Sequence, residues 1–258
     1  MEKKTNIEPD GHCFTKLERE ALYKTIFSRR DVRAQFSDKE IPVDVLSRIL
    51  LAGHHAPSVG FMQPWSFTVL QSESKKNAVL NLFKEAHAEA TEMFEGERQD
   101  TYRNLKLEGI VEAPINICVT CDKDRAGPVV LGRTHMMEMD EYSTVCAVQN
   151  MWLAARSEGV GMGWVSIMDR EKLKSVLGIP QNIIPVAYLC LGYVTHFNDQ
   201  PELQSKGWRE RLPLTDFVNF EEFEGASDNP YAKDLIQKIG DSQNKLKEED
   251  PLSNFLKN

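Results

Sequence analysis

Gly159-Val160-Gly161-Met162-Gly163-Trp164-Val165-Ser166 decides how this chain folds. It follows a strongly apolar helical stretch, residues 140–158, and leads into a strand read over residues 163–167. The segment has G-x-G but not G-x-G-x-x-G, and it runs from helix into strand. A dinucleotide-binding phosphate loop runs from strand into helix, so that reading fails. What survives is a close backbone approach that glycine permits, followed by an indole at Trp164 and a hydroxyl at Ser166.

Outward from this point, Val145, Ala147, Val148, Met151, Trp152, Leu153 and Ala155 cover more than one stripe of the preceding helix. A face that broad is buried on several sides. Residues 183–194 form a long unbroken apolar strand of the kind covered on both faces. Residues 65–70 and 115–121 read as two more strands. Helices are expected over residues 16–29 and 43–55, with two more between 74 and 110. The layout is α+β: a central mixed sheet of four or five strands flanked by helices. Residues 1–16 read as an N-terminal arm, 17–225 as one folded domain, and 226–258 as a peripheral helix with a charged tail.

The bulk properties exclude several functions. A net charge of −8 over 258 residues argues against a general nucleic-acid surface, which needs clustered Lys and Arg. No apolar run approaches the ~20 residues of a membrane span, and the polar first ten residues do not resemble a secretory signal. The expected compartment is the cytosol. Of the five cysteines, Cys118 and Cys121 form a C-x-x-C. On a strand, residues three apart face opposite sides, so one metal could not readily hold both thiolates. The histidines fall at no metal spacing, and no metal is expected.

Three segments could carry chemistry. Arg29-Arg30-Asp31-Val32-Arg33 places three guanidiniums just past a helix in an acidic protein. Such forks match phosphate oxygens, although cations also suit a solvated helix C-terminus. Lys206-Gly207-Trp208-Arg209-Glu210-Arg211 is a second cationic stretch, with Arg209 and Arg211 on one side if extended. Ala56-Pro57-Ser58-Val59-Gly60-Phe61-Met62-Gln63-Pro64-Trp65 combines a rigid Pro/Gly loop with the polar groups of Ser58 and Gln63. A flat heteroaromatic ligand needs such an apolar wall with a few placed hydrogen-bonding groups. An ordinary helix-to-strand loop has the same composition.

Together these segments resemble the FMN-dependent nitroreductase superfamily. That family has R-R-S-x-R after its first helix, a P-S-x-x-N-x-Q-P-W loop, a glycine-rich turn before a strand and a late K/R-x-R. The resemblance covers roughly residues 18–224 and implies a nitroreductase-like fold in a domain-swapped type of homodimer, with FMN at the interface. By this resemblance Arg29, Arg30, Asp31, Val32, Arg33, Arg209 and Arg211 bind the FMN phosphate and its surroundings. Pro57, Ser58, Gly60, Met62 and Leu107 border the flavin, and Trp164, Val165 and Ser166 line its edge near N5.

Two departures narrow the resemblance: Asp31 stands where the family has Ser, and Phe61 where it has Asn. Asp31, residues 139–150 and residues 163–167 are similar to the branch that forms 5,6-dimethylbenzimidazole, the lower ligand of cobalamin. In that branch reduced FMN is consumed as substrate with O2, and erythrose 4-phosphate leaves. The resemblance then implies Asp31 and Ser166 as catalytic residues and a separate NAD(P)H-dependent flavin reductase as supplier of FMNH2. The alternatives are an NAD(P)H-dependent nitroreductase or flavin reductase that keeps its FMN, and a non-catalytic store of reduced flavin.

Overall fold

A computed structural model describes residues 14–246. The expectations for residues 1–13 and 247–258, most of the arm and the end of the charged tail, lie outside the described residues. The chain divides into two compact units. One comprises the described parts of Met1–Ser28 and Lys206–Asn258, and the other is Arg29–Ser205.

The larger unit holds the sheet. Its strands are β1 (Trp65–Leu70), β2 (Ile115–Asp122), β3 (Val160–Val165) and β4 (Ile183–Tyr193), in the order β1-β2-β4-β3. All neighbours pair antiparallel. The expected mixed character reduces, among the described residues, to one isolated parallel bridge between Asp31 and Met162. β3 begins and ends earlier than the sequence suggests, so Ser166 lies just beyond the strand.

Alternating side chains of β2 build two cores, one on each face of the sheet. Ile117 and Val119 join Ile49 of α2 (Val43–His54) and Ala147, Val148 and Met151 of α5 (Met139–Ser157). Cys118 faces the other way, with Val79 and Phe83 of α3 (Glu73–Thr91) and Leu173 of α6 (Arg170–Leu177). Cys121 meets Thr144 of α5. The C-x-x-C therefore straddles the sheet, as its spacing predicts. Burial pushes the Cys118 thiol up to about 12 and moves Cys121 and Cys190 in the same direction. Such thiols remain protonated and do not serve as nucleophiles.

Local chemistry fixes the helix ends. Ser72 and Asp169 cap α3 and α6 by accepting from Lys75 N–H and Lys172 N–H, and Gly178 ends α6 at φ 68°. A short helix, α4 (Gly96–Asn104), follows α3.

In the smaller unit α1 (Lys16–Ser28) buries no residue, and Leu17, Leu22 and Ile26 are exposed. After α7 (Glu202–Ser205), a helix of the larger unit, comes α8 (Pro230–Lys245). Gln243 of α8 accepts from Leu214 N–H at 2.7 Å and donates to Leu212 O at 3.0 Å.

Between the helices and the free edge of β3 runs the connection from Arg29 to Ser37. Val32 N–H donates to Met162 O at 3.0 Å, and Ser37 N–H to Tyr193 O at 2.8 Å. Four glycines give this connection room. A Cβ at Gly163 would lie 2.1 Å from Val32 O, and one at Gly109 would lie 2.5 Å from Arg33 O. At Gly161 it would strike the side chains of Val194 and Val32, and at Gly192 those of Pro114 and Phe36. Gly163 is the most constrained of the four, because its contact is with backbone and is the shortest. Gly163→Ala should cost at least about 3 kcal/mol, the upper end of overpacking penalties. Urea unfolding checks this, and a loss below about 1 kcal/mol would show that the connection lifts off β3 freely.

Candidate active site

The crossing over β3 places Asp31 at the centre of a polar cluster. Its Oδ1 accepts the Trp164 backbone N–H at 3.1 Å, and its Oδ2 accepts from Arg33 at 2.7 Å. Arg33 also donates to Lys106 O at 3.3 Å, which ties the motif to the segment carrying Leu107. Val32 is buried and pins the crossing from beneath.

The three guanidiniums of the motif diverge. Arg29 lies over the Trp152 ring, 4.7 Å from its centroid. Arg30 donates to Asp199 O and, at 2.8 Å, to Arg29 O. The Trp152 indole N–H donates to Arg30 O at 3.3 Å, and its ring lies 6.4 Å from that of Trp164. Asp31, Arg33, Trp164 and Trp152 are thus brought together by the crossing. Ser166 is exposed, two residues beyond Trp164, and Val165 is buried in the core on the α3 side. Arg209 and Arg211 belong to the other unit, where both are exposed.

The loop from Pro57 to Gln63 is built against α5. Val59 N–H donates to Ser143 Oγ at 3.0 Å, and Ser58 Oγ accepts Gln63 N–H at 3.1 Å. Gly60 has φ 52° and packs on Val130 and Leu131. Phe61 follows at φ 53° and is 81% exposed. A bulky residue in the left-handed region is strained, and Asn tolerates that region better. Phe61 therefore costs stability where a family Asn would not. Met62 is buried and belongs to the packing under the loop, so the expected border of Pro57, Ser58, Gly60 and Met62 has three residues at or near the surface and one beneath it.

Two residues that sequence reasoning passed over set the position of this loop. Arg133 and Asp140 form an ion pair at 2.7 Å whose side chains are 6% and 0% exposed. Arg133 also donates to Lys123 O at 2.6 Å and Gly127 O at 3.3 Å. The pair folds the charged connection after β2 onto the start of α5, which presents Val130 and Leu131 to Gly60. The only sequence signal was an arginine ending a charged run seven residues before a helical aspartate.

No cluster of three potential metal ligands occurs among the described residues, and no helix there is long and apolar enough to cross a membrane.

The model of the Nitroreductase family matches residues 26–193. A 5,6-dimethylbenzimidazole synthase of Rhodospirillum rubrum is 37% identical over 203 residues, covering 79% of this chain and 96% of that protein. One from Rhodobacter capsulatus is 36% identical over 200 residues, covering 78% and 96%. Among solved structures, an oxidised iodotyrosine deiodinase bound to FMN and 3-iodo-L-tyrosine superposes with a TM-score of 0.62 at 20% identity. That match covers 78% of this chain and 100% of the other, and at such identity it speaks for the fold alone.

The buried pair yields a stability prediction. Arg133→Met leaves Asp140 buried without its partner and should destabilise the protein by about 3–5 kcal/mol. Arg133→Met with Asp140→Leu should recover most of that loss. Chemical denaturation of the two variants decides the matter: equal stabilities would mean that the pair does not act as a unit.

Proposed function

The chain belongs to the Nitroreductase family, and from that premise we propose that it is an oxidoreductase that uses O2 to fragment reduced FMN to 5,6-dimethylbenzimidazole. Erythrose 4-phosphate is the second product. The observation that carries this reading is Asp31, a carboxylate held at the β3 crossing by Trp164 and Arg33. Similarity to synthases along nearly their whole length supports it.

The residues present fit a flavin mononucleotide. Arg33 keeps a buried Nε with no hydrogen-bond partner among the described residues, a donor suited to an anionic oxygen. Half-buried Trp164 offers an indole, and Ser166 an exposed hydroxyl, at the same end of β3. When bound and reduced, the flavin supplies the electrons that O2 takes up.

The chain's own groups do the rest. Arg33 anchors the phosphate end, while Arg29 and Arg30, directed to Trp152 and Asp199, add positive charge to the same segment. Pro57, Ser58, Gly60 and Leu107 shape the apolar walls. Removing a proton from a ribityl carbon requires a base, and neither guanidinium nor hydroxyl serves at neutral pH, whereas a carboxylate does. Asp31 takes that proton. Ser166 donates its hydroxyl hydrogen bond to the flavin edge, where developing negative charge is stabilised.

A second copy of the chain covers the outer face of α5. That helix buries Ala147, Val148 and Met151 within its own unit, yet Tyr142 and Val145 remain 51% and 39% exposed on its opposite side. The apolar stripe of α1 is also uncovered. Reduced FMN comes from a separate NAD(P)H-dependent flavin reductase, and the reaction takes place in the cytoplasm.

The test begins with excess FMN, reduced chemically in the presence of the protein and then exposed to air. Mass spectrometry should find dimethylbenzimidazole. Reoxidised FMN with rapid NADH consumption would replace this reading with a conventional reductase, and reduced flavin that persists in air would replace it with storage. Asp31→Asn and Ser166→Ala should retain FMNH2 binding and consume O2 but return oxidised FMN. Product from Asp31→Asn at the wild-type rate would remove Asp31 as the base. Light scattering at micromolar concentration should give a dimer, whose interface should exceed ~2,000 Å²; a monomer would contradict it.

A further inference from the structure

Both oxygens of the carboxylate assigned as the base already accept a hydrogen bond. Oδ1 is occupied by the Trp164 N–H and Oδ2 by Arg33. The Arg33 side chain is 12% exposed, that of Asp31 33%. Among the described residues the Arg33 guanidinium makes one other bond, the longer one to Lys106 O at 3.3 Å, and its buried Nε has no partner there. The guanidinium thus has donors in reserve and one anionic partner, which is Asp31.

We propose that Arg33 couples phosphate recognition to the base: a phosphate monoester draws the guanidinium from Asp31 and thereby frees Oδ2 to accept a proton. This rests on the reading above, in which Asp31 is the base and Arg33 meets the phosphate. A guanidinium fork fits carboxylate and phosphate oxygens alike, so the two anions compete for the same donors. The phosphate carries up to two charges against the carboxylate's one, and it also offers an acceptor to the idle Nε. While Arg33 donates to Oδ2 at 2.7 Å, a C–H bond must compete with the guanidinium for that oxygen. Once the hydrogen bond passes to phosphate, the proton moves from the ribityl carbon to Oδ2, the C–H electron pair enters the bond to the ring nitrogen, and two electrons leave through the ring to O2. Arg33 is therefore a positioning residue. It withholds the base from a flavin that lacks the phosphate.

This coupling has a consequence that a purely structural ion pair lacks. Riboflavin, even at saturation, should turn over slowly, because binding the ring alone leaves Oδ2 occupied. Discrimination between FMN and riboflavin then appears in kcat as well as in KM.

The experiment uses two independent readouts. Inorganic phosphate is titrated into the ligand-free protein by calorimetry, for wild type, Asp31→Asn, Arg33→Gln and the double variant. Asp31→Asn removes the competitor and should tighten phosphate binding on the order of tenfold, the worth of one charge-assisted hydrogen bond. In the Arg33→Gln background the same change should do much less, because the coupling runs through Arg33. Equal gains in both backgrounds, or no phosphate binding by wild type and Asp31→Asn alike, would overturn the proposal. Separately, reduced riboflavin should give a saturating kcat well below that of FMNH2, and added inorganic phosphate should raise it. Equal saturating kcat for the two flavins would also overturn it. If neither flavin yields product, the assigned reaction fails, while the calorimetric cycle still decides whether Arg33 is shared between Asp31 and phosphate.

Discussion

The approach of two backbones across Gly163 governs the rest of this molecule. Any side chain there would put a Cβ 2.1 Å from Val32 O, and the connection between Arg29 and Ser37 could not lie along β3. Gly161 spares the Val32 side chain, and Gly109 and Gly192 spare Arg33 and Phe36. The result is a groove made by missing side chains. In it Val32 is buried, its N–H reaches Met162 O, and Asp31 comes to rest on the Trp164 N–H. The position of the carboxylate is therefore a consequence of backbone packing. The carboxylate itself depends on one residue, Asp31.

A second rigid element faces the opposite end of the sheet. Arg133 and Asp140 bury opposite charges at the start of α5, and such a pair is stable only because the surrounding carbonyls of Lys123 and Gly127 also accept from the guanidinium. The loop bearing Ser58 and Gly60 rests on this corner. The 57–63 loop and the Asp31 crossing are thus each fixed from below by close packing, while Phe61, Leu131 and Tyr142 stay uncovered. Rigid polar groups beside exposed apolar surface are what a flat ligand and a second protein copy would both use.

Much of this was legible in the sequence. β1 was read with its ends correct, and β2 and β4 within one residue, because their apolar runs end at Pro, Gly or charge. The close approach at the glycine-rich turn was legible too, but only as a possibility: which backbone would come near it depends on a contact 131 residues away, between Gly163 and Val32. The short helix α6 was missed, although Asp169 and Gly178 are both standard end signals, because eight residues offer little periodicity. The arginine motif was read as one cationic patch. Its residues are adjacent in sequence, but the turn at Asp31 sends the three guanidiniums to Trp152, Asp199 and Asp31. Arg133 and Asp140 could not be paired from sequence, since nothing in their spacing distinguishes a buried ion pair from two solvated charges. On α1 the apolar spacing correctly gave a helix, although Leu17, Leu22 and Ile26 stay exposed among the described residues.

The most direct measurement is a crystal structure of the protein with FMN bound. A carboxylate that takes a proton from the ribityl chain must lie within about 3–3.5 Å of the reacting atoms. Asp31 Oδ2 should lie at that distance from the ribityl carbon next to the ring, with Arg33 turned onto the phosphate and the crossing over Gly163 unchanged. FMN bound with Asp31 still paired to Arg33, and its ribityl chain beyond reach of the carboxylate, would contradict it.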